Sequence, residues 1–265
     1  MLAGCAGIAA EQPKPSATKK IASQTVDEER NVSQKIIELI ESPVELVPTA
    51  ERLCQSLSSK ERRELGYALA KEAFRKAKEH KGAALTLARC AFLLADVEDE
   101  EKLVLEYSRA GMEAGKVARG EEKDARASYY YALNIGLYIR EKGIKAIGRV
   151  SDFHEALKDA NKAPDEDFGG PMRVLGLLYL KAPPWPRSVG DIDAALELLE
   201  EAAKRFPSHP QNHIFYAEAL FEEGRKDEAK KELELAERLA LPELWGEYAQ
   251  RWQKEIEKFK KKLEE

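Results

Sequence analysis

The chain has 265 residues, 43% of them hydrophobic and 34% charged, with 43 Lys and Arg against 48 Asp and Glu for a net charge of −5. That length suits one or two domains with a large buried core, and the composition is that of an ordinary globular protein. The two charge signs are interspersed without a basic stripe, which excludes nucleic acid as an expected partner, and no run approaches the roughly 18 apolar residues of a bilayer span.

In chain order, the first element is an address. Leu2-Ala3-Gly4-Cys5 resembles the lipobox of bacterial lipoproteins, where small residues ahead of the cysteine admit a signal peptidase and the thiol carries diacylglycerol. A charged and then an apolar region precede such a box in a precursor, and residues 1–5 read as the remnant of that signal. The resemblance implies a periplasmic protein attached to the membrane through the lipid on Cys5 alone. Residues 6–33 read as a flexible tether, since "EQPKPSATKKIASQTVDEER" is rich in Pro, Ser and charge and has little to bury. A chance match on a polar tail is the alternative.

From residue 34 onward apolar residues recur at spacings of three and four, Ala, Leu, Glu and Lys dominate, and alternating β-branched runs are absent. This predicts an all-α protein. Breaks are expected at Pro43 and Pro48, around Lys81-Gly82, at Gly120 and Gly143, at "NKAPDEDFGGP", "KAPPWPRSVGD" and "FPSHP", and at Pro242, leaving antiparallel helices of about 13 to 20 residues.

Helix pairs at a constant period are the signature of a solenoid. Met172-x2-Leu175-Gly176-x2-Tyr179 followed by Ala195-x3-Leu199-x2-Ala202-x4-Pro207 matches the tetratricopeptide pattern, with an inserted loop, "KAPPWPRSVG", about seven residues longer than the usual turn. His213-x2-Tyr216-Ala217-x2-Leu220-x3-Gly224 with Ala229-x3-Leu233-x2-Ala236 matches again. Ala132-x2-Ile135-Gly136-x2-Ile139 is a partial third unit with a degenerate second helix. Residues 34–128 read as degenerate helical repeats, 129–242 as tetratricopeptide-like repeats, and 243–265 as a capping C-terminal helix. That last helix carries Trp245, Tyr248, Trp252, Ile256, Phe259 and Leu263 on one face. Covering the last repeat is its expected task, with a surface for a partner or a second copy as the sharper alternative.

Cys54 and Cys90 sit in helical apolar patterns, where two buried thiols are preferred to a disulfide, although an oxidising periplasm would permit one. Gly169-Gly170-Pro171 reads as a turn into a helix and Asp191 as an N-cap, so neither motif needs a phosphate. Tyr129, Tyr130 and Tyr131 point round a helix at about 100° steps and cannot form one stacking platform. His209 and His213 are four apart, but one belongs to a turn and the other fills a packing position, so no metal site is expected. With no phosphate loop, nucleophile elbow or HExxH, no catalytic residues and no cofactor are expected either, and the protein reads as no enzyme.

The stretch from "FGGPMRVLGLLYL" through "FPSHPQNHIFYAEAL", preceded by "ASYYYALNIGLY", resembles the tetratricopeptide lipoproteins associated with TRAP transporters, the T-component family. The likeness covers residues 60–242 and is most specific at 168–220. It implies a periplasmic, lipid-anchored helical protein, homotrimers around an apolar cavity, and partnership with the solute-binding protein of a TRAP transporter.

In tetratricopeptide folds the first helix of each pair lines the concave groove, and the positions beside the core motif face it. Those are Tyr130, Leu133, Asn134, Leu137, Arg173, Leu177, Ile214, Glu218 and Phe221, a mixture suited to a small hydrophobic or amphipathic ligand with one oriented polar end. Alternatively they pack against neighbouring helices, and Asn134 satisfies a carbonyl. Trp185, between Pro184 and Pro186, reads as a plug packed on the solenoid or else as a lid over a pocket. The rival to a ligand-binding accessory is a scaffold for protein contacts in envelope assembly.

Overall fold

Helices begin here where a side chain can satisfy amides that have no partner in the first turn. Ser59 Oγ accepts from the Arg62 N–H (3.4 Å), His80 Nδ1 from Ala83 (3.0 Å), Asp124 from Ala127 (2.8 Å) and Asp191 from Ala194 (3.0 Å). The computed structural model describes residues 42–264. The Cys5 lipobox and the tether over 6–33 lie outside the described residues.

The helices are α1 (Leu46–Leu53), α2 (Lys60–Lys76), α3 (Lys81–Ala95), α4 (Glu101–Arg119), α5 (Ala125–Lys142), α6 (Val150–Ala160), α7 (Gly170–Lys181), α8 (Ile192–Arg205), α9 (Pro210–Glu222), α10 (Lys226–Leu239), the single turn α11 (Pro242–Trp245) and α12 (Glu247–Glu264). A 3-10 segment, Gly143–Arg149, joins α5 to α6. From α1 to α9 each helix packs on its successor, α12 packs on α9, α10 and α11, and α1 also packs on α3, α3 on α5 and α7 on α9. That is the contact pattern of stacked helical hairpins, in which the first helices of successive pairs form one wall. The all-helical, tetratricopeptide-like solenoid expected from the periodicity is the architecture observed, with no strand among the described residues.

Close approach explains the small residues of the repeats. A Cβ on Gly176 of α7 would lie 2.7 Å from Leu199 Cγ of α8, so only glycine lets that pair close. Ala195, Leu199, Ala217, Leu220, Ala229, Leu233 and Ala236, all repeat positions, are fully or almost fully buried. Several local expectations need correction. Pro48 does not break a helix but stands in the first turn of α1, where its missing N–H costs nothing, while the break around Lys81-Gly82 falls immediately ahead of α3.

Cys54 and Cys90 are not two buried thiols but a disulfide. Residue spacing alone leaves this open. Stacking α1 on α3 brings their Cα atoms to 5.3 Å, within bridging distance.

Trp185 is not a plug. It is 84% exposed, because the inserted loop closes on itself through the Arg187 N–H to the Pro184 carbonyl (3.1 Å) and the Gly190 N–H to the Pro183 carbonyl (3.0 Å), which leaves Trp185 at the centre of an outward turn.

The C-terminal helix does more than cover the last repeat. Trp252, Ile256 and Phe259 of α12 are buried in the core formed with α9 and α10. On its other side α12 reaches the first repeats. Arg251 Nη1 donates to the Asp96 carboxylate (2.9 Å) and carbonyl (3.1 Å), Glu247 pairs with Arg63, and the Arg63 guanidinium lies 5.8 Å from the Tyr248 ring centre. The helix thus bridges the two ends of the solenoid across its concave side.

Candidate functional site

That bridge turns an open groove into a cavity of about 440 Å³, within the roughly 300–1,000 Å³ of small-molecule sites. One wall is built from first helices of the pairs: Phe92 and Leu93 of α3, Leu133, Gly136 and Leu137 of α5, Val174, Leu177 and Leu178 of α7, and Phe215 of α9. The opposite wall is Trp245, Tyr248 and Trp252. His209 and Phe168 join them. Ring centres are 4.8 Å apart for His209 and Trp245, 5.3 Å for Trp245 and Trp252, and 5.9 Å for Phe168 and His209. Such offset and edge contacts hold a rigid aromatic surface.

Of the groove residues expected from the repeat pattern, Leu133, Leu137, Arg173 and Leu177 line this cavity. The others do not. Tyr130 is buried beside it with its hydroxyl donating to Glu166 (3.0 Å). Asn134 donates to the carbonyls of Ala88 (2.9 Å) and Tyr130 (2.7 Å), so its amide joins α3 to α5. Ile214 is fully buried in the core. Glu218 pairs with Lys181 (2.6 Å), itself a lining residue, and Phe221 packs on Phe259 of α12 (5.6 Å). Trp185 is not among the lining residues. Register explains the misses: in a helix with two packed faces, positions one step apart face the neighbouring repeat rather than the groove.

The polar part of the lining is organised around Arg173, which is 3% exposed. Its Nη1 donates to Asn212 Oδ1 (2.8 Å) and the Phe168 carbonyl (3.3 Å), and its Nη2 to the Asp167 carboxylate (2.9 Å) and carbonyl (3.4 Å). The Tyr129 hydroxyl donates to the same carboxylate (2.8 Å), and burial pushes its pKa well up. This network restrains an unusual backbone: Asp167 (φ 50°), Phe168 (φ 52°) and Gly169 (φ 85°) lie consecutively in the left-handed region. Two of the three are not glycine, and such residues persist only where their surroundings over-determine them. The strain presents Phe168 to the aromatic wall.

His209 is 4% exposed, and its pKa is depressed to about 2, chiefly by burial, then by the nearby charges of Arg173 and His213. It is a neutral ring at physiological pH. His213 makes hydrogen-bond contacts through both nitrogens, to Glu232 (2.7 Å) and the Pro207 carbonyl (2.9 Å). No cluster of three or more metal-ligating side chains occurs among the described residues. Glu255 of α12 has its pKa raised by burial and then by neighbouring Glu218.

Residues 92, 129, 168, 209, 245 and 252 were not legible as lining. The one signal pointing toward them is the aromatic run Trp245, Tyr248 and Trp252 across α11 and α12, more aromatic than a cap requires.

Residues 187–245 match the family described as tetratricopeptide repeat, a span running from the inserted loop through α11. No curated protein matches the chain. Tetratricopeptide repeats are in general non-catalytic scaffolds for protein contacts. The matched residues lie at one end of a stack of helical hairpins, and that stretch is similar to the tetratricopeptide repeat.

Proposed function

We propose that this protein is an exported, lipid-anchored solenoid binding protein that serves a TRAP-type solute transporter, holding a small apolar or amphipathic ligand or handing it to the transporter's solute-binding protein. Cys5 carries the lipid, the body stands in the periplasm on the tether over 6–33, and the working form is a trimer. The observation that carries the ligand part is the cavity, walled by aliphatic side chains of the solenoid and by Trp245 of α11 and Trp252 of α12. The Cys54–Cys90 disulfide supports export, since such bonds persist in oxidising compartments and are rare in the cytosol.

Native mass spectrometry of the protein purified from the cell envelope tests this reading. A bound mass that organic solvent removes is expected. A bare protein mass in every preparation favours the second reading, a scaffold for protein contacts in envelope assembly, which the tetratricopeptide match itself supports. The anchor is tested by fatty-acid labelling of a full-length precursor: Cys5 should label and Cys5→Ala should not. Equal labelling of both, or of neither, overturns it.

A further inference from the structure

We propose that the cavity selects an uncharged amphipathic molecule, whose neutral polar end is read by the His209 imidazole and the Gln211 amide at the start of α9. The inference rests on the cavity being a small-molecule site, as argued above.

Every formally charged side chain in the lining already has a counterion within the protein. Asp96 pairs with Arg251 (2.9 Å), Asp167 with Arg173 (2.9 Å) and Lys181 with Glu218 (2.6 Å). A carboxylate or ammonium head would have to break one of these pairs and leave a partly buried charge uncompensated, or enter with no counterion of its own.

The polar groups left without protein partners are neutral. Gln211 lines the cavity and its amide makes no hydrogen bond among the described residues. His209 lines it too, with neither ring nitrogen bonded. Nδ1 is sealed off without a partner, whereas Nε2 keeps accessible surface on a ring otherwise enclosed by Phe168, Trp245 and Trp252. A buried ring that was only packing would be as well served by phenylalanine, since an unpaired polar atom costs free energy. The depressed basicity of His209 keeps it uncharged, so it offers one donor or one acceptor and no positive charge. An alcohol, amide or ketone end meets that pair of groups, and the Trp and Leu walls take the apolar body.

The test uses three probes of equal chain length, 1-decanol, decanoate and decylammonium, titrated at pH 7.5 into the full chain carrying Trp185→Phe, so that Trp245 and Trp252 report. Decanol should bind about 10-fold more tightly than either ion. His209→Phe or Gln211→Leu should weaken decanol by about 5- to 10-fold, the worth of one hydrogen bond, and leave the ions within about twofold. An ion that binds as tightly as decanol, or both variants binding decanol as the parent does, overturns the inference alone. Failure of all three probes to bind overturns the small-molecule reading beneath it as well. Gln211→Leu, at a half-buried position, keeps the test decisive if His209→Phe does not fold.

Discussion

Arg251 of α12 donates to both the carboxylate and the backbone carbonyl of Asp96 at the end of α3, across 155 positions of sequence. With Arg63 and Glu247 beside it, this contact joins the last helix to the first repeats and roofs the cavity.

Both pairs have one substantially exposed member, 47% for the Arg251 side chain and 51% for Glu247, so solvent screens them. Arg251→Gln should therefore lower global stability by under about 1 kcal/mol while loosening the roof, whereas Glu247→Gln leaves the buried Arg63 without its carboxylate and should cost more. Hydrogen exchange is expected to accelerate in the first turns of α12 and stay unchanged in α9 and α10. Unaltered protection at α12 would mean that the apolar face alone holds the helix in place.

The Cys54–Cys90 bridge closes a 36-residue separation, for which the chain-entropy description gives roughly 4 kcal/mol. Urea unfolding with and without dithiothreitol should differ by about 2–4 kcal/mol, and Cys54→Ala/Cys90→Ala should match the reduced protein. Coincident oxidised and reduced curves would show that the bridge does not stabilise the fold.

His209 titrates near 6.5 when unfolded and near 2 when folded. The unfolded chain thus binds one proton more below pH 6.5, so stability falls with acidity through the window from about 6.5 down to 2. Between pH 6.5 and 5 this one group should remove about 2 kcal/mol, at about 1.4 kcal/mol per unit. In His209→Phe that component is lost, and urea midpoints at pH 6.5 and 5 should lie correspondingly closer together. An identical acid slope in the variant and the parent would sink the assignment.

Arg173 holds Asn212, Asp167 and two loop carbonyls. Arg173→Met should cost about 3–5 kcal/mol, because the buried partners lose their donor, and Arg173→Lys should restore little, since an ammonium cannot span the fork. Thermal denaturation reads both. Recovery with lysine would show that charge alone matters at this position.

Gly176→Ala should destabilise by about 1–3 kcal/mol, because the new methyl would press on Leu199. A neutral or stabilising effect in a thermal melt would mean that α7 and α8 separate without loss.

Much of the solenoid was legible because its signals are local. A glycine at 176, alanines at 195, 217 and 229, and a 3.6-residue apolar period report how neighbouring helices nest, and neighbours in a repeat protein are also near in sequence. Caps such as Asp191 are local too. For the same reason Leu133, Leu137, Arg173 and Leu177 could be assigned to the groove side of their helices from register alone.

The amino-acid sequence by itself determined the fold class and the hairpin stack, since periodicity and close-contact residues encode those over a few turns. Only the tertiary structure decided that Cys54 meets Cys90, that Trp185 points outward, and that α12 crosses back to close a cavity around His209 and the tryptophans. Those features depend on how small rotations between successive hairpins add up until distant ends approach, a sum over the whole chain that no short stretch records.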